Sequence, residues 1–132
     1  NIKLKLKEMY SLKRKAIWKI IWEHIYREPF GTVGYMDISK IKVPKYLLNS
    51  HPSDLKVVTY YNRFLKTGYL DEPLVVKTKI LKNGRKIVFL KNSYIRFLIV
   101  ANEIDEYKKL HNISKYKDIP RWLRTVPVRY VN

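Results

Sequence analysis

The chain has no cysteine among its 132 residues, which excludes a disulfide framework, a thiolate zinc site and cysteine-based catalysis. Glycine and proline are scarce, at 4 and 6, so neither a collagen-like repeat nor a Pro/Gly-rich disordered chain is in question. No apolar run approaches the ~18 residues that an ordinary membrane-spanning helix needs. Asn1 is not followed by an apolar run with a small-residue cleavage site, so no signal peptide is visible. The expectation is a processed or truncated chain that works in the cytoplasm, with no membrane partner. Acids are few as well: 11 Asp+Glu stand against 28 Lys+Arg, a formal net charge of +17. Length predicts one domain, and 46% hydrophobic residues supply a real core.

A chain this basic repels itself and attracts polyanions. Residues 1–19 hold Lys3, Lys5, Lys7, Lys13, Arg14, Lys15 and Lys19 against Glu8 alone. Residues 77–91 hold Lys77, Lys79, Lys82, Arg85, Lys86 and Lys91 and no acid. Residues 108–129 hold seven basic residues against Asp118. Nucleic acid is the first partner to consider, through phosphate neutralisation, with Lys3, Lys5, Lys7, Lys13, Arg14, Lys15, Lys82, Arg85 and Lys86 as its contacts. Solvated lysine faces in a lysine-rich chain are the plain alternative.

Ile2, Leu4 and Leu6 alternate with lysines, the period of a short half-buried strand. From Ser11 the spacing becomes helical: Ile17, Trp18, Ile21, Trp22, Ile25 and Tyr26 form one stripe, ended by Pro29 and Gly31. That stripe packs on the core or docks a protein partner. Gly34 to Val43 reads as one or two strands around Asp37–Lys40, stopped by Pro44. Pro52 opens a helix through Leu55, Val58, Tyr61, Phe64 and Leu65, closed by Gly68. Residues 74–81 and 85–90 are β-rich runs around Lys82-Asn83-Gly84, a hairpin signal. A helix from about Asn92 to Ile104 follows, with Asn92 or Ser93 as its N-cap and Tyr94, Phe97, Leu98 and Ala101 as apolar positions. A lysine-rich connector leads to Pro120–Leu123, a turn or single helical turn, and to a closing strand over 126–131. Pro127 favours a sheet edge for that strand. The class is α+β: a mixed sheet with packed helices.

Standard catalytic motifs are absent: the sequence has no Walker-type glycine loop, no GxGxxG and no zinc signature. His24, His51 and His111 lack metal-ligand spacing. Asp71-Glu72 and Glu103-Asp105-Glu106 either hold magnesium or are solvated turn acids. The informative segment is the strand–turn–helix junction at Phe89–Phe97. A helix that starts directly after a strand aims free N–H groups at one point, and Arg96 adds a forked donor suited to phosphate. The competing reading is an ordinary capped helix whose Arg96 pairs with Asp71 or Glu72.

These residues, in order, resemble the ParB/sulfiredoxin superfamily in its single-domain ParB-like nuclease form. The similar run begins at Ile38-Ser39-Lys40-Ile41-Lys42-Val43-Pro44 and continues through Pro52–Val57, Tyr61 and Thr67–Val76. It then takes in Leu90-Lys91-Asn92-Ser93-Tyr94-Ile95-Arg96-Phe97 and closes at Val126-Pro127-Val128. It spans residues 36–131, leaving 1–35 as a basic strand-and-helix extension to a domain over 36–132. The resemblance implies a nucleotide-phosphate cradle in which Asn92 and Ser93 stand at the family's Asp-Gly, Arg96 at its Arg and Lys56 at its helical Lys. A nucleoside triphosphate with magnesium is the cofactor such a cradle would take. Departures matter: no cysteine means no sulfiredoxin chemistry, Ser93 replaces a glycine, and Asn92 replaces an acid. The Glu-Arg-Arg box of CTP-hydrolysing partition proteins is missing too.

The resulting expectation is a nucleic-acid-binding ParB-like module, DNA favoured, from a plasmid, phage or integrated element, with a degenerate phosphate site and no turnover. The rival expectations are a nucleotide-dependent kinase or nuclease of the same fold, and an interaction domain docking through Trp18 and Trp22.

Overall fold

The computed structural model describes residues 33–67 and 70–131. The expected N-terminal strand and Trp18/Trp22 helix, and the basic residues Lys3 to Lys15, lie outside the described residues, as does Gly68. Five strands form one mixed sheet: β1 (Val33–Asp37), β2 (Ile41–Lys42), β3 (Leu74–Ile80), β4 (Lys86–Leu90) and β5 (Thr125–Tyr130). Four helices accompany it: α1 (Lys45–Leu48), α2 (Asp54–Thr67), α3 (Tyr94–Leu110) and α4 (Arg121–Arg124). The order across the sheet is β1-β5-β3-β4-β2. β1/β5 and β3/β4 are antiparallel, whereas β3/β5 and β2/β4 are parallel. The α+β class stands, and β1 begins at Val33, ahead of residue 36.

β5 corrects one expectation. It lies between β1 and β3, not at an edge, although it carries Pro127. Val131 N donates to Val76 O, and backbone alternation turns the missing N–H of Pro127 to that same β3 side. The β5/β3 ladder starts only at Val128, so no ladder bond is lost.

Local chemistry sets the ends of the elements. Asp37 Oδ1 accepts from Ser39 N at 3.0 Å and Ser39 Oγ at 2.7 Å, turning the chain through one 3₁₀ turn from β1 into β2. Ser53 Oγ accepts from Lys56 N at 3.3 Å, capping α2. α2 buries Phe64, and Tyr60, Tyr61 and Leu65 pack beside it, whereas Leu55 and Val58 are exposed at 79% and 52%. The core stripe therefore runs 57, 60, 61, 64, 65, the i, i+3, i+4, i+7, i+8 face, and leaves out two positions the sequence pattern suggested. The short α1, held by Leu47 N and Leu48 N donating to Pro44 O, has too few residues to show a period.

α3 starts two residues later than expected and runs on to Leu110, through residues that read as connector. It buries Ile99, Val100 and Ile104 in addition to the partly buried Phe97 and Tyr107. Its apolar side chains serve the sheet, α2 and α4 together, so no single stripe marks them. Its end is a Schellman turn: Ile113 N donates to Lys108 O at 2.9 Å with Asn112 at φ 53°. The core lies between the sheet and the helices, where Leu74, Val76, Leu90, Val126 and Val128 are fully buried beneath Val100, Leu123 and Ile119. No helix among the described residues is long and apolar enough to cross a membrane.

Candidate functional site

The junction between β4 and α3 is built by an unusual backbone. Lys91 N and Asn92 N both donate to Val75 O, at 2.9 and 3.3 Å, which holds the chain against β3 as β4 ends. Asn92 Oδ1 accepts from Ser93 N at 2.7 Å. Ser93 then sits in the left-handed region, φ 75° and ψ 31°, and is buried. That conformation favours glycine and costs an L-residue about 1–2 kcal/mol. Ser93 makes no side-chain cap bond, so it does not cap α3 as the sequence reading allowed. The first-turn amides of α3 consequently have no side-chain acceptor from that residue.

Around this turn lies an open cleft of about 720 Å³. All four residues assigned to a phosphate cradle, Lys56, Asn92, Ser93 and Arg96, line it. α2 contributes Lys56, Tyr60 and Arg63 to one wall, and Ser50 and Ser53 form its rim. Asp71 and Glu72 close the remaining side. Tyr60 and Arg63 were not singled out from sequence. Their signal is the i, i+4, i+7 spacing of Lys56, Tyr60 and Arg63, which places a cation–aromatic–cation row on one helical face.

Arg96 is committed to carboxylates. Its Nε donates to Asp71 Oδ1 at 2.7 Å and its Nη2 to Asp71 Oδ2 at 3.0 Å, a bidentate pair. The same Nη2 reaches Glu72 Oε2 at 3.0 Å. Arg63 Nη1 lies 3.3 Å from Asp71 Oδ2. The Arg96 and Arg63 guanidinium carbons stand 5.0 and 5.1 Å from the Tyr60 ring centre, so both cations share one aromatic ring. With its side chain 15% exposed, Arg96 is a structural cross-link between α3, α2 and the loop ahead of β3. Burial pushes the Asp71 carboxyl up, but hydrogen bonds and charge from Arg96, with help from Arg63, outweigh it and hold the carboxyl below its ordinary range. Arg96 is in turn held charged, chiefly by its hydrogen bonds to Asp71. Of the two readings open at this turn, pairing with Asp71 and Glu72 is present in the structure. Lys56 makes no ion pair among the described residues.

Two further polar clusters are structural in geometry. Tyr116 Oη donates to Asp37 Oδ1, and Arg124 Nη1 lies 3.5 Å from Asp37 Oδ2. Between α2 and α3, Tyr61 Oη donates to the buried Glu103, and Asn102 Nδ2 donates to Tyr61 Oη at 2.7 Å. Burial first, and the Glu103 carboxylate second, push the Tyr61 phenol well above its usual value. Among the described residues, no group of three or more His, Asp or Glu is placed to hold a metal ion.

The other candidate residues lie on the hairpin. Lys82, Arg85 and Lys86 are exposed at its tip. Leu81 N donates to Arg85 O at 2.8 Å and Gly84 N to Leu81 O at 2.9 Å, which makes a three-residue loop with Gly84 at φ 81°. No protein-family profile, curated protein or solved structure matches the chain.

Proposed function

We propose that this chain is a nucleic-acid-binding module of the ParB/sulfiredoxin-like type, in which the phosphate cradle has become a structural joint. The observation that carries the binding reading is the hairpin. Lys77, Lys79, Lys82, Arg85 and Lys86 sit on it without an acid between residues 77 and 91, and none makes an ion pair among the described residues. Uncompensated cations gathered on one projection attract a phosphate polymer by releasing its counterions. The left-handed backbone at Ser93, where the resembling motif has glycine, supports the ParB-like assignment. The Asp71–Arg96–Glu72 joint supports the loss of a phosphate site, because the forked donor is already taken.

The test is an anisotropy titration of the full chain on labelled duplex DNA. Binding is expected at about 50 mM salt and falls steeply by about 200 mM, with a slope near −0.9 per phosphate neutralised. Affinity that ignores salt, or no binding at the lower concentration, would refute the reading.

One observation favours a nucleotide-dependent enzyme as the second reading: Lys56, Asn92, Ser93 and Arg96 do converge on a single cleft. A nucleotide there would have to displace Asp71 and Glu72 from Arg96, so weak affinity is expected. Calorimetric titration with ATP and CTP, with and without magnesium, separates the two. Micromolar binding or measurable hydrolysis would favour the enzyme.

A further inference from the structure

The nucleic-acid reading leaves open which form of nucleic acid the hairpin takes and how; the inference here rests on that reading and deepens it. β5 pairs with β3 only over Leu74–Val76, and β2 pairs with β4 only over Val88–Phe89. From Lys77 to Ile87 the two strands therefore bond to each other alone and leave the sheet as a ribbon. About four residues per strand at ~3.4 Å each give it a reach of roughly 13 Å. Its tip is fixed: Asn83 Oδ1 accepts from Arg85 N at 2.9 Å, and Gly84 takes the turn at φ 81°.

The cations lie on both faces of this ribbon. Residues paired across strands share a face, and the pairs Lys77↔Phe89 and Lys79↔Ile87 put two lysines on the side away from the core. The pair Ile80↔Lys86 puts a lysine on the opposite side, and Lys82 and Arg85 occupy the tip. Ile80 is 72% exposed, an apolar side chain held in water beside those charges.

A single strand laid on a sheet, or an acidic patch on a protein, meets one face. Charge on two faces and an end fits a channel with negative walls on both sides. We propose that the 77–87 ribbon inserts into the major groove of duplex DNA. That groove is about 12 Å wide and about 8.5 Å deep and admits a two-stranded ribbon in an undeformed duplex, whereas the ~6 Å minor groove takes strands where the duplex is bent or widened at a cost in energy. In the groove Lys79 and Lys86 face phosphates of opposite strands, Arg85 faces base edges, and Ile80 meets thymine methyl groups.

The experiment uses the full chain and a labelled duplex. The Lys79→Ala/Arg85→Ala/Lys86→Ala variant is expected to lower the salt slope by about 2, from the two phosphate-facing lysines, and to weaken duplex binding further through the loss of Arg85. An equal charge removal elsewhere, Lys109→Ala/Lys115→Ala/Lys117→Ala, is expected to lower it by less. Methyl green, a major-groove ligand, is expected to compete with the wild-type chain, and netropsin, a minor-groove ligand, is not. The inference is overturned if the ribbon variant keeps the wild-type slope, if both triple variants lose it equally, if netropsin alone competes, or if single strands bind more tightly than duplex. In each of those cases the chain still binds nucleic acid. Wild-type protein that binds no duplex at about 50 mM salt overturns the nucleic-acid reading itself.

Discussion

The cleft and the hairpin both hold arginine, and they treat it in opposite ways. In the cleft, Arg96 and Arg63 share Asp71, Glu72 takes a further guanidinium hydrogen, and both arginines stand over Tyr60. On the hairpin, Arg85 and the lysines around it are exposed and make no ion pair among the described residues. A charged residue's type therefore says less about its role than the charges placed around it. Paired, the guanidinium joins three elements; unpaired, it is left for a partner.

The largest effect expected is Arg96→Ala. It removes a bidentate pair and a cation over Tyr60 from a side chain that is 15% exposed, and it leaves Asp71 with Arg63 at 3.3 Å. A loss of about 2–3 kcal/mol in urea unfolding is expected. A double-mutant cycle with Asp71→Ala should show coupling above about 1 kcal/mol. Additive losses would mean that the joint is geometric contact without energy, and the contrast with the hairpin would dissolve.

This joint also marks where the sequence is legible and where it is not. Lys82-Asn83-Gly84 announced the hairpin because its turn is decided by residues adjacent in the chain. The switch from strand to helix at Asn92 was legible for the same reason. Arg96 and Asp71, in contrast, are 25 positions apart, and the residues alone could offer carboxylate pairing only as one of two readings. Pro127 misled because its missing N–H matters only against a neighbour strand whose ladder starts one residue later. The length of α3 was hidden because Tyr107 packs edge-on to Trp122 at 6.2 Å, a contact no local period reveals.

Acid should dissolve the joint in a defined direction. The folded-state value of Asp71 lies below its ordinary 3.8, so its stabilising effect is complete above that value and is lost as pH falls through the lower, folded one. Asp71→Asn should cost about 1–2 kcal/mol at neutral pH, discounted for a carboxylate that is one-third exposed. The gap between variant and wild type should close as the medium is acidified below that range. A gap that stayed constant with pH would assign the cost to packing and not to charge.

Ser93→Gly is expected to act in the opposite sense, by about 1 kcal/mol or less. It relieves the strain of φ 75° at a position with no side-chain cap bond to lose. Thermal unfolding a few degrees higher is the readout. If the same variant gained nucleotide affinity in calorimetry, the cleft would be an anion site restrained by one side chain, and the second functional reading would gain accordingly.

The smallest expected effect is Arg85→Ala, the same type of deletion as Arg96→Ala made at the other end of the comparison. Arg85 N donates to Asn83 Oδ1, and its carbonyl accepts from Leu81 N, so its backbone carries the turn and alanine keeps both bonds. Its guanidinium is exposed and unpaired among the described residues, and it sits in a run of six cations without an acid. Removing one like charge from such a run relieves repulsion by an amount that water and salt largely screen. Stability should therefore stay within about 0.5 kcal/mol of wild type, while duplex binding weakens. A loss above about 1 kcal/mol would show that the hairpin, like the cleft, uses its arginine to hold itself together.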